Sequence, residues 1–203
     1  MAYRVSYRGN RGFSLGPIGF LIIVNLILYL ATSIRPDLFI SMFGLQPISF
    51  LERPWTIVTN LFIHAPFPSI GHILANMLTL YFFGSYLSRL VGERNFLVVY
   101  FLGGILGNIF YIVLGHPFIP AIGASGAVFA VAGVLVVLRP KLTVFIFPIP
   151  VPIPLWIAVI GGFLIFTLFA IFRFLPVAWE AHLGGLVFGL VAGYFFRRQR
   201  RYY

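Results

Sequence analysis

The sequence predicts an all-α polytopic membrane protein, a single domain (residues 1–203) built as a bundle of six transmembrane helices. Hydrophobic residues make up 61% of the 203-residue chain and charged residues only 9%. A soluble domain needs far more polar surface than this, so the surrounding solvent must be lipid. At about 20 residues per crossing, the length leaves room for roughly six crossings. The apolar runs fall near 17–34, 68–88, 95–115, 124–138, 155–175 and 178–196.

The segments between these runs are expected to differ in structure. The first run follows a basic tail that resembles the start of a signal peptide, but it is long and lacks a small-residue cleavage site, so we interpret it as a retained helix. The first loop, 35–67, is long enough that we expect it to fold on or partly into the membrane surface. The stretch 147–154 carries alternate prolines, which exclude a helix and predict an extended segment.

The distribution of basic residues predicts the orientation, because Lys and Arg are enriched in cytoplasmic segments. Three arginines fall on the predicted outer side, and each can be matched with an acidic residue: Arg35, Arg53 and Arg173 with Asp37, Glu52 and Glu180. The predicted inner segments hold eleven basic residues: Arg4, Arg8, Arg11, Arg89, Arg94, Arg139, Lys141, Arg197, Arg198, Arg200 and Arg201. We therefore expect both termini in the cytoplasm.

Composition also excludes several kinds of chemistry. The formal charge of +10 does not indicate nucleic-acid binding, because the basic residues lie between apolar runs and form no aromatic-lined polar face. The chain has no cysteine, so disulfides and thiolate metal sites are excluded. The histidines lack supporting carboxylates, so no metal is expected. No cofactor is expected either.

Polar residues within spans usually face a bundle interior or a water-filled cavity. The candidates here are His72, Asn76, Ser125 and His182. At about 1.5 Å of rise per residue, Ser125 and His182 lie roughly 21 Å and roughly 22 Å from the next inner-face arginine on their helices. The same count gives roughly 20 Å for Asn76 and roughly 26 Å for His72. We therefore expect all four side chains in one layer below the outer surface.

Ser125 follows a segment rich in helix breakers, so its helix should begin inside the membrane. The free N–H groups of a buried helix start can stabilise a developing oxyanion, and a serine there suits a nucleophile. Histidine is the usual base for such a serine, and His182 has the matching height. Glu180 lies about 200° around its helix from His182, so we predict a Ser125–His182 dyad without a carboxylate.

Small residues predict that the helices of the dyad approach closely. Gly185, Gly189 and Gly193 form a ridge along the sixth helix, and the fourth helix offers Gly126 as well as further small residues. Such ridges allow two backbones in a membrane to come into contact. Close contact of these helices would bring His182 within hydrogen-bonding reach of Ser125.

These residues together resemble the rhomboid family of intramembrane serine proteases. The resemblance rests on Gly123-Ala-Ser-Gly126 opening the fourth helix, Ala181-His-Leu-Gly-Gly185 with Gly189 on the sixth, and His72-Ile-Leu-Ala-Asn76 on the second. It covers nearly the whole chain and extends to Trp55, Thr59, Phe62 and His64 in the first loop. The sequence departs from the family pattern where Thr56 follows Trp55 in place of an arginine, and where Ser88 replaces a common acidic residue.

The resemblance implies that Ser125 attacks a peptide carbonyl, that His182 is the base, and that His72, Asn76 and the Ser125 amide stabilise the oxyanion. Gly123 and Ala124 are expected to contact the substrate. The implied partners are the lipid bilayer and transmembrane proteins that are cut near or within their spanning segments.

Two other functions remain open at this stage. One is a non-proteolytic relative that binds membrane clients, although such proteins typically lack the serine or the histidine. The other is a channel. The compact layout favours a prokaryotic cell membrane as the location, and the bulky fifth helix is the expected substrate gate.

Overall fold

The computed structural model describes residues 16–145 and 151–199. The basic tail with Arg4, Arg8 and Arg11, most of the proline-rich stretch, and Arg200 and Arg201 lie outside the described residues. The helices are α1 (Pro17–Ile34), α2 (Pro36–Phe43), α3 (Thr56–Thr59), α4 (Ile70–Thr79), α5 (Ser85–Val91), α6 (Glu93–Leu114), α7 (Ser125–Leu138), α8 (Leu155–Ile171) and α9 (Trp179–Gln199). Two strands, β1 (Thr143–Val144) and β2 (Ile153–Pro154), pair antiparallel. The prediction of a mostly helical fold is confirmed.

Local sequence explains several of the helix ends. α1 and α2 each begin with a proline, whose fixed φ suits the first turn of a helix. Gly92, with φ +87°, separates α5 from α6, and a glycine adopts this conformation without a steric cost. α8 is followed by Arg173 at φ +56°. This residue turns the chain away from the helix axis.

Some boundaries differ from those predicted. The second apolar helix runs over Ile70–Val91 instead of 68–88, with a π-helical segment at Leu80–Gly84 joining α4 to α5. The third runs over Glu93–Leu114 instead of 95–115, because Gly92 sets its start. The fourth begins at Ser125, one residue later than predicted, and the fifth ends at Ile171 instead of 175. The sixth runs over Trp179–Gln199 instead of 178–196, since arginines in its last turn favour continuation at the negative end of the helix dipole.

The first loop is folded rather than structureless. It contains α2, a 3₁₀ turn at Pro47–Ser49, and α3 continued by a 3₁₀ turn at Asn60–Phe62. The segment that follows α7 forms the short β1–β2 hairpin, so the described end of the proline-rich stretch is extended, as prolines require. Its residues 147–150 lie outside the described part of the chain.

Three helices of the described part are long and apolar enough to cross a membrane: Pro17–Ile34, Ile70–Val91 and Glu93–Leu114. α7 and α8 are apolar but shorter, at 14 and 17 residues. α9 has 21 residues and is interrupted by small and polar side chains. The structure therefore supports a multi-pass membrane protein, while the count of six crossings and the sides of the termini stay predictions.

α7 lies at the centre of the molecule. Its residues Ala127, Ala130, Val134 and Leu135 are completely buried, and it packs most extensively against α9 and then against α6. Because lipid gives no hydrophobic drive for helix association, this contact depends on close packing of small residues. α8 is different, because only Leu155 and Val159 along its length are buried. The centre of the bundle is thus tightly packed, whereas α8 is packed loosely against it.

Candidate active site

Ser125 and His182 meet between α7 and α9. Ser125 is the first residue of α7, and His182 lies in the first turn of α9. The Nε2 atom of His182 is 2.7 Å from the Oγ atom of Ser125, a hydrogen-bond distance. His182 is only 6% exposed, whereas Ser125 is half-buried. The arrangement is a serine hydroxyl in contact with a buried imidazole.

The glycines proposed for helix packing lie where α7 and α9 touch. A Cβ atom added to Gly185 would fall on the carbonyl oxygen of Gly126, and one added to Gly189 would fall on that of Ala130. A Cβ on Gly126 itself would lie 3.1 Å from the Ala181 carbonyl oxygen. Gly193 continues the contact toward the other end, where its Cβ would lie 2.9 Å from the Cβ of Val137. The two backbones are therefore in direct contact beside the dyad.

His72 on α4 stands next to the dyad. Its Nδ1 atom accepts a hydrogen bond from the Ala65 amide at 3.2 Å, so the neutral ring carries its proton on Nε2. A Cβ added to Gly123, two residues before Ser125, would lie 2.7 Å from this Nε2 atom and 3.9 Å from Ser125 Oγ. The Nε2–H group of His72 is thus a donor that points toward the backbone beside the serine.

Asn76 lies one turn further along α4 and is mostly buried. Its Nδ2 atom donates a hydrogen bond to the His72 carbonyl oxygen at 2.8 Å. An amide nitrogen carries two hydrogens, so a second donor remains for another acceptor. Asn76 therefore supports His72 through the backbone and can also donate in its own right.

The two residues expected to contact substrate can do so only through their backbone. Gly123 has φ +116°, a conformation that favours glycine, and its amide donates to the Asn60 carbonyl oxygen at 2.9 Å. Ala124 is completely buried, so its methyl group cannot contact a ligand in this structure. Gly123 and Ala124 therefore form a fixed turn of backbone immediately before α7.

A pair of asparagines joins the first loop to α6. Asn60 and Asn108 exchange side-chain hydrogen bonds of 2.9 and 2.7 Å, and Asn108 also donates to the Ile57 carbonyl oxygen at 2.7 Å. Because Asn60 accepts from Gly123 as well, this pair connects the loop, α6 and the start of α7. Sequence reasoning missed Asn108, although a polar residue in a long apolar helix was a usable signal.

The first loop is further held by its own polar side chains. The Arg53 guanidinium donates to the Ser41 carbonyl oxygen and, at 2.7 Å, to Ser49 Oγ. The Trp55 indole donates to the Met42 carbonyl oxygen at 2.9 Å, and the Thr59 hydroxyl donates to that of Phe43 at 3.0 Å. Arg53 therefore anchors the loop although it precedes Trp55 instead of following it.

The segment before α7 is tied to the same loop. Leu45 and Ala121 form an isolated antiparallel bridge with backbone hydrogen bonds of 3.0 and 2.8 Å. The Tyr111 hydroxyl on α6 donates to the Ile119 carbonyl oxygen at 2.8 Å. The breaker-rich segment thus has fixed partners on both sides, and it delivers the chain to Ser125 in a defined position.

His64 in the first loop is completely buried, with its ring centroid 5.1 Å from that of His72. Burial, with a smaller effect from His72, lowers the pKa of His64 to about 3, so its ring is neutral at neutral pH. Within residues 16–145 and 151–199, no three His, Cys, Asp or Glu side chains are placed to hold a metal ion. His64 is therefore a neutral packing partner of His72.

Two phenylalanines contact the His182 ring, and neither contact was predicted from the sequence. Phe129 on α7 stacks on it with ring centroids 4.7 Å apart, and Phe166 on α8 approaches edge-on at 6.1 Å. Phe129 lies four residues after Ser125, on the same face of α7. This spacing could have indicated its contact, whereas the contact of Phe166 depends on how α8 packs.

The fold and the site define a helical multi-pass membrane protein in which a serine and a histidine meet between two closely packed helices. A family model described as the rhomboid domain matches residues 51–199. The chain belongs to the rhomboid family, as its sequence motifs predicted.

Individual relatives agree with this assignment. The chain is 30% identical over 176 residues to Rhomboid protein 1, mitochondrial, of Saccharomyces cerevisiae, covering 80% of this chain and 49% of that protein. It is 38% identical over 80 residues to the putative rhomboid protease YdcA of Bacillus subtilis, covering 39% of each. It is also 31% identical over 81 residues to Inactive RHOMBOID-like protein 8 of Arabidopsis thaliana, covering 40% of this chain and 22% of that protein. The matched regions thus span half or less of these relatives' lengths.

Proposed function

We propose that this chain is an active intramembrane serine protease that cuts transmembrane proteins near or within their spanning segments, using a Ser125–His182 dyad. The observation that carries the proposal is the 2.7 Å contact between His182 Nε2 and Ser125 Oγ inside a helical membrane protein. Membership of the rhomboid family and two relatives named as proteases support it.

The proposed reaction has two steps. In the first, Ser125 Oγ attacks the scissile carbonyl carbon while its proton moves to His182 Nε2, and the imidazolium then protonates the leaving amine. In the second, a water molecule gives a proton to His182 and attacks the acyl ester, which releases the carboxylic acid and restores the serine. Nε2 must accept a proton, so the resting neutral imidazole carries its hydrogen on Nδ1.

The oxyanion formed in both steps needs donors on one side of the serine. His72 Nε2–H, which faces Gly123, is the best oriented side-chain donor, and the backbone amide of Ser125 at the start of α7 is expected to join it. Asn76 has one uncommitted amide hydrogen and completes the proposed set. All of these groups are held by backbone hydrogen bonds or helix packing, which suits preorganised stabilisation.

The arrangement in the membrane is part of the same proposal. α1, α4 with α5, α6, α7, α8 and α9 would give six crossings with both termini in the cytoplasm. α8 is the proposed substrate gate, because it is weakly packed and its helix contains Gly161 and Gly162, around which added Cβ atoms would meet nothing within 4 Å. Substrate would enter from the bilayer past this helix.

The decisive experiment compares Ser125→Ala with Ser88→Ala in purified, detergent-solubilised protein. We expect Ser125→Ala to abolish both cleavage of a single-span substrate and labelling by a fluorophosphonate probe. Ser88 lies on α5 outside the site, so Ser88→Ala should keep both activities. Cleavage that persists in Ser125→Ala would rule out the proposed nucleophile.

The competing function is binding of membrane clients without proteolysis. One relative is named as inactive, so family membership alone does not exclude this function. The alternative predicts client binding that is insensitive to Ser125→Ala, together with no fluorophosphonate labelling of the wild-type protein. The compact layout favours a prokaryotic cell membrane, but two relatives are named as mitochondrial and two as chloroplastic, so the relatives do not support this location. Membrane fractionation of the source cells would test it.

A further inference from the structure

Among residues 16–145 and 151–199, Ser125 is the only polar partner of the His182 imidazole. Its Nδ1 atom is buried and makes no hydrogen bond among the described residues. Many catalytic histidines are oriented by a carboxylate at this nitrogen, which fixes both the tautomer and the ring plane. In this chain the ring plane must be fixed by something else, because one hydrogen bond at Nε2 leaves rotation about that bond free.

Aromatic rings surround His182 instead. Phe129 stacks on the imidazole with an interplanar angle of 29°, while Phe166 lies nearly perpendicular to it at 70°. A further ring, Phe163, contacts Phe129 edge-on with centroids 6.3 Å apart. Stacked and edge-to-face contacts of this kind have preferred geometries, so they restrict how the imidazole can turn.

The aromatic rings around His182 belong to two helices that differ in how tightly they are packed. Phe129 belongs to α7, which is buried and interlocked with α9. Phe166 and Phe163 belong to α8, which has few buried residues, and Phe166 itself is 39% exposed. The Phe129 contact with His182 is therefore fixed, whereas the Phe166 contact changes whenever α8 moves.

We propose that Phe166 is a positioning residue, which holds the His182 imidazole toward Ser125 and makes the orientation of the base depend on the position of α8. The inference rests on the proposed protease function and adds a residue to it. Displacement of α8 by an entering substrate interrupts the Phe166 contact. The contact must form again for hydrolysis, so the base is correctly oriented once α8 has returned to its place beside a seated substrate.

The test uses a small soluble fluorophosphonate probe, which reacts with the serine without passing the gate as a protein helix must. Phe166→Ala should slow labelling of Ser125 by roughly two- to tenfold, the rate change that one aromatic contact is worth. Phe166→Tyr keeps the ring and should label at the wild-type rate. Leu164→Ala, a lipid-facing change on the same helix, is the matched control and should also label normally.

A second measurement separates positioning from gating. With a single-span substrate, Phe166→Ala should lower kcat by the same factor and leave KM nearly unchanged, whereas a residue that only obstructs entry would raise kcat/KM when truncated. Phe166→Leu, which keeps the apolar volume without the ring, carries the test if Phe166→Ala does not fold.

The outcomes are distinguishable. If the wild-type protein is labelled at Ser125, and Phe166→Ala and Phe166→Leu are labelled at the same rate, the role of Phe166 is rejected. The proposed protease function would not be affected by that result. An absence of wild-type labelling would overturn the proposed protease function, and labelling that is unaffected by Ser125→Ala would do the same. Reduced labelling of Leu164→Ala to the level of Phe166→Ala would show a general effect of α8 and would also reject the specific contact.

Discussion

Asn76 and Asn95 provide a natural comparison at the level of single residues. Each donates a hydrogen bond from its side-chain amide to the carbonyl oxygen four residues earlier, both at 2.8 Å, but Asn95 is exposed at the start of α6. Replacing either by alanine removes the same local bond. Any difference between the two variants therefore reports on the proposed contact of Asn76 with the oxyanion.

We predict that Asn76→Ala lowers kcat on the order of 10²-fold with little change in KM, because one oxyanion donor is typically worth that much. Asn95→Ala should cleave at the wild-type rate. Steady-state kinetics with a single-span substrate measures both values. Equal activity of the two variants would mean that Asn76 has only a local structural role.

The contact between Ser125 and His182 was predictable because serine and histidine are rare in apolar helices and their depths can be counted from the inner arginines. Their mutual contact agrees with that count, whereas the detailed roles remain a proposal. Phe129 and Phe166 could not be singled out in the same way, because phenylalanine is frequent in this chain and carries no signal in an apolar segment. A phenylalanine that acts through its shape cannot be distinguished by sequence from the other phenylalanines of the chain.

At the level of elements, the glycines divide into two kinds. An added Cβ on Gly185 would collide with the Gly126 carbonyl, whereas one on Gly161 of α8 would meet nothing within 4 Å. The same substitution in two helices thus tests close packing against backbone flexibility.

We predict that Gly185→Ala destabilises the protein by about 1 to 3 kcal/mol, the usual range for overpacking, and strongly reduces probe labelling because α9 must shift away from Ser125. Gly161→Ala should be neutral or stabilising by about 0.5 to 1 kcal/mol, since alanine is the better helix former. Unfolding in mixed detergent micelles, followed by circular dichroism, measures both. Destabilisation of Gly161→Ala as large as that of Gly185→Ala would contradict the difference in packing.

The glycine pair of α8 also bears on the proposed gate. A Gly161→Ala, Gly162→Ala double variant should stiffen α8, because glycine pairs are common sites of helix bending. We expect kcat/KM for a single-span substrate to fall while fluorophosphonate labelling stays unchanged. Ile165→Ala, which alters the lipid-facing side of the same helix, is the control. A parallel fall in labelling would point to damage of the site instead of restricted entry.

The second apolar helix shows where element prediction from sequence ends. Its apolar run was visible, but the π-helical segment at Leu80–Gly84 has no periodic signal of its own. The extra residue in this turn keeps Asn76 and Gly84 both buried although the segments on either side are α-helical. The π-helical segment packs against neighbouring helices, here α1 and α7, and a single sequence does not show which partners it will have.

At the level of the whole molecule, the orientation in the membrane can be tested directly, because the chain contains no cysteine. Glu52→Cys in the first loop and Lys141→Cys after α7 place single thiols at exposed positions on the predicted outer and inner sides. In intact cells a membrane-impermeant maleimide should label Glu52→Cys and should leave Lys141→Cys unlabelled until the cells are opened. The reverse pattern would invert the predicted topology.

The family and the overall class of fold were predictable from composition and from three short motifs, because lipid exposure and helix packing constrain the sequence strongly. The connections between distant segments were not. Asn60 with Asn108, and Leu45 with Ala121, join parts of the chain that are far apart in sequence, and nothing local specifies which partner each finds. These contacts depend on the assembled bundle.

The position of α9 as the last described helix has a consequence for biosynthesis. α7 is complete 41 residues before α9 begins at Trp179, so a ribosome exposes the serine-bearing helix to the translocation machinery well before it delivers the imidazole. During that interval the nascent chain holds Ser125 without His182, and the small-residue surface of α7 lacks its partner. Under the proposed function, we therefore expect the nascent chain to be inactive toward neighbouring proteins in the translocon until α9 docks against α7.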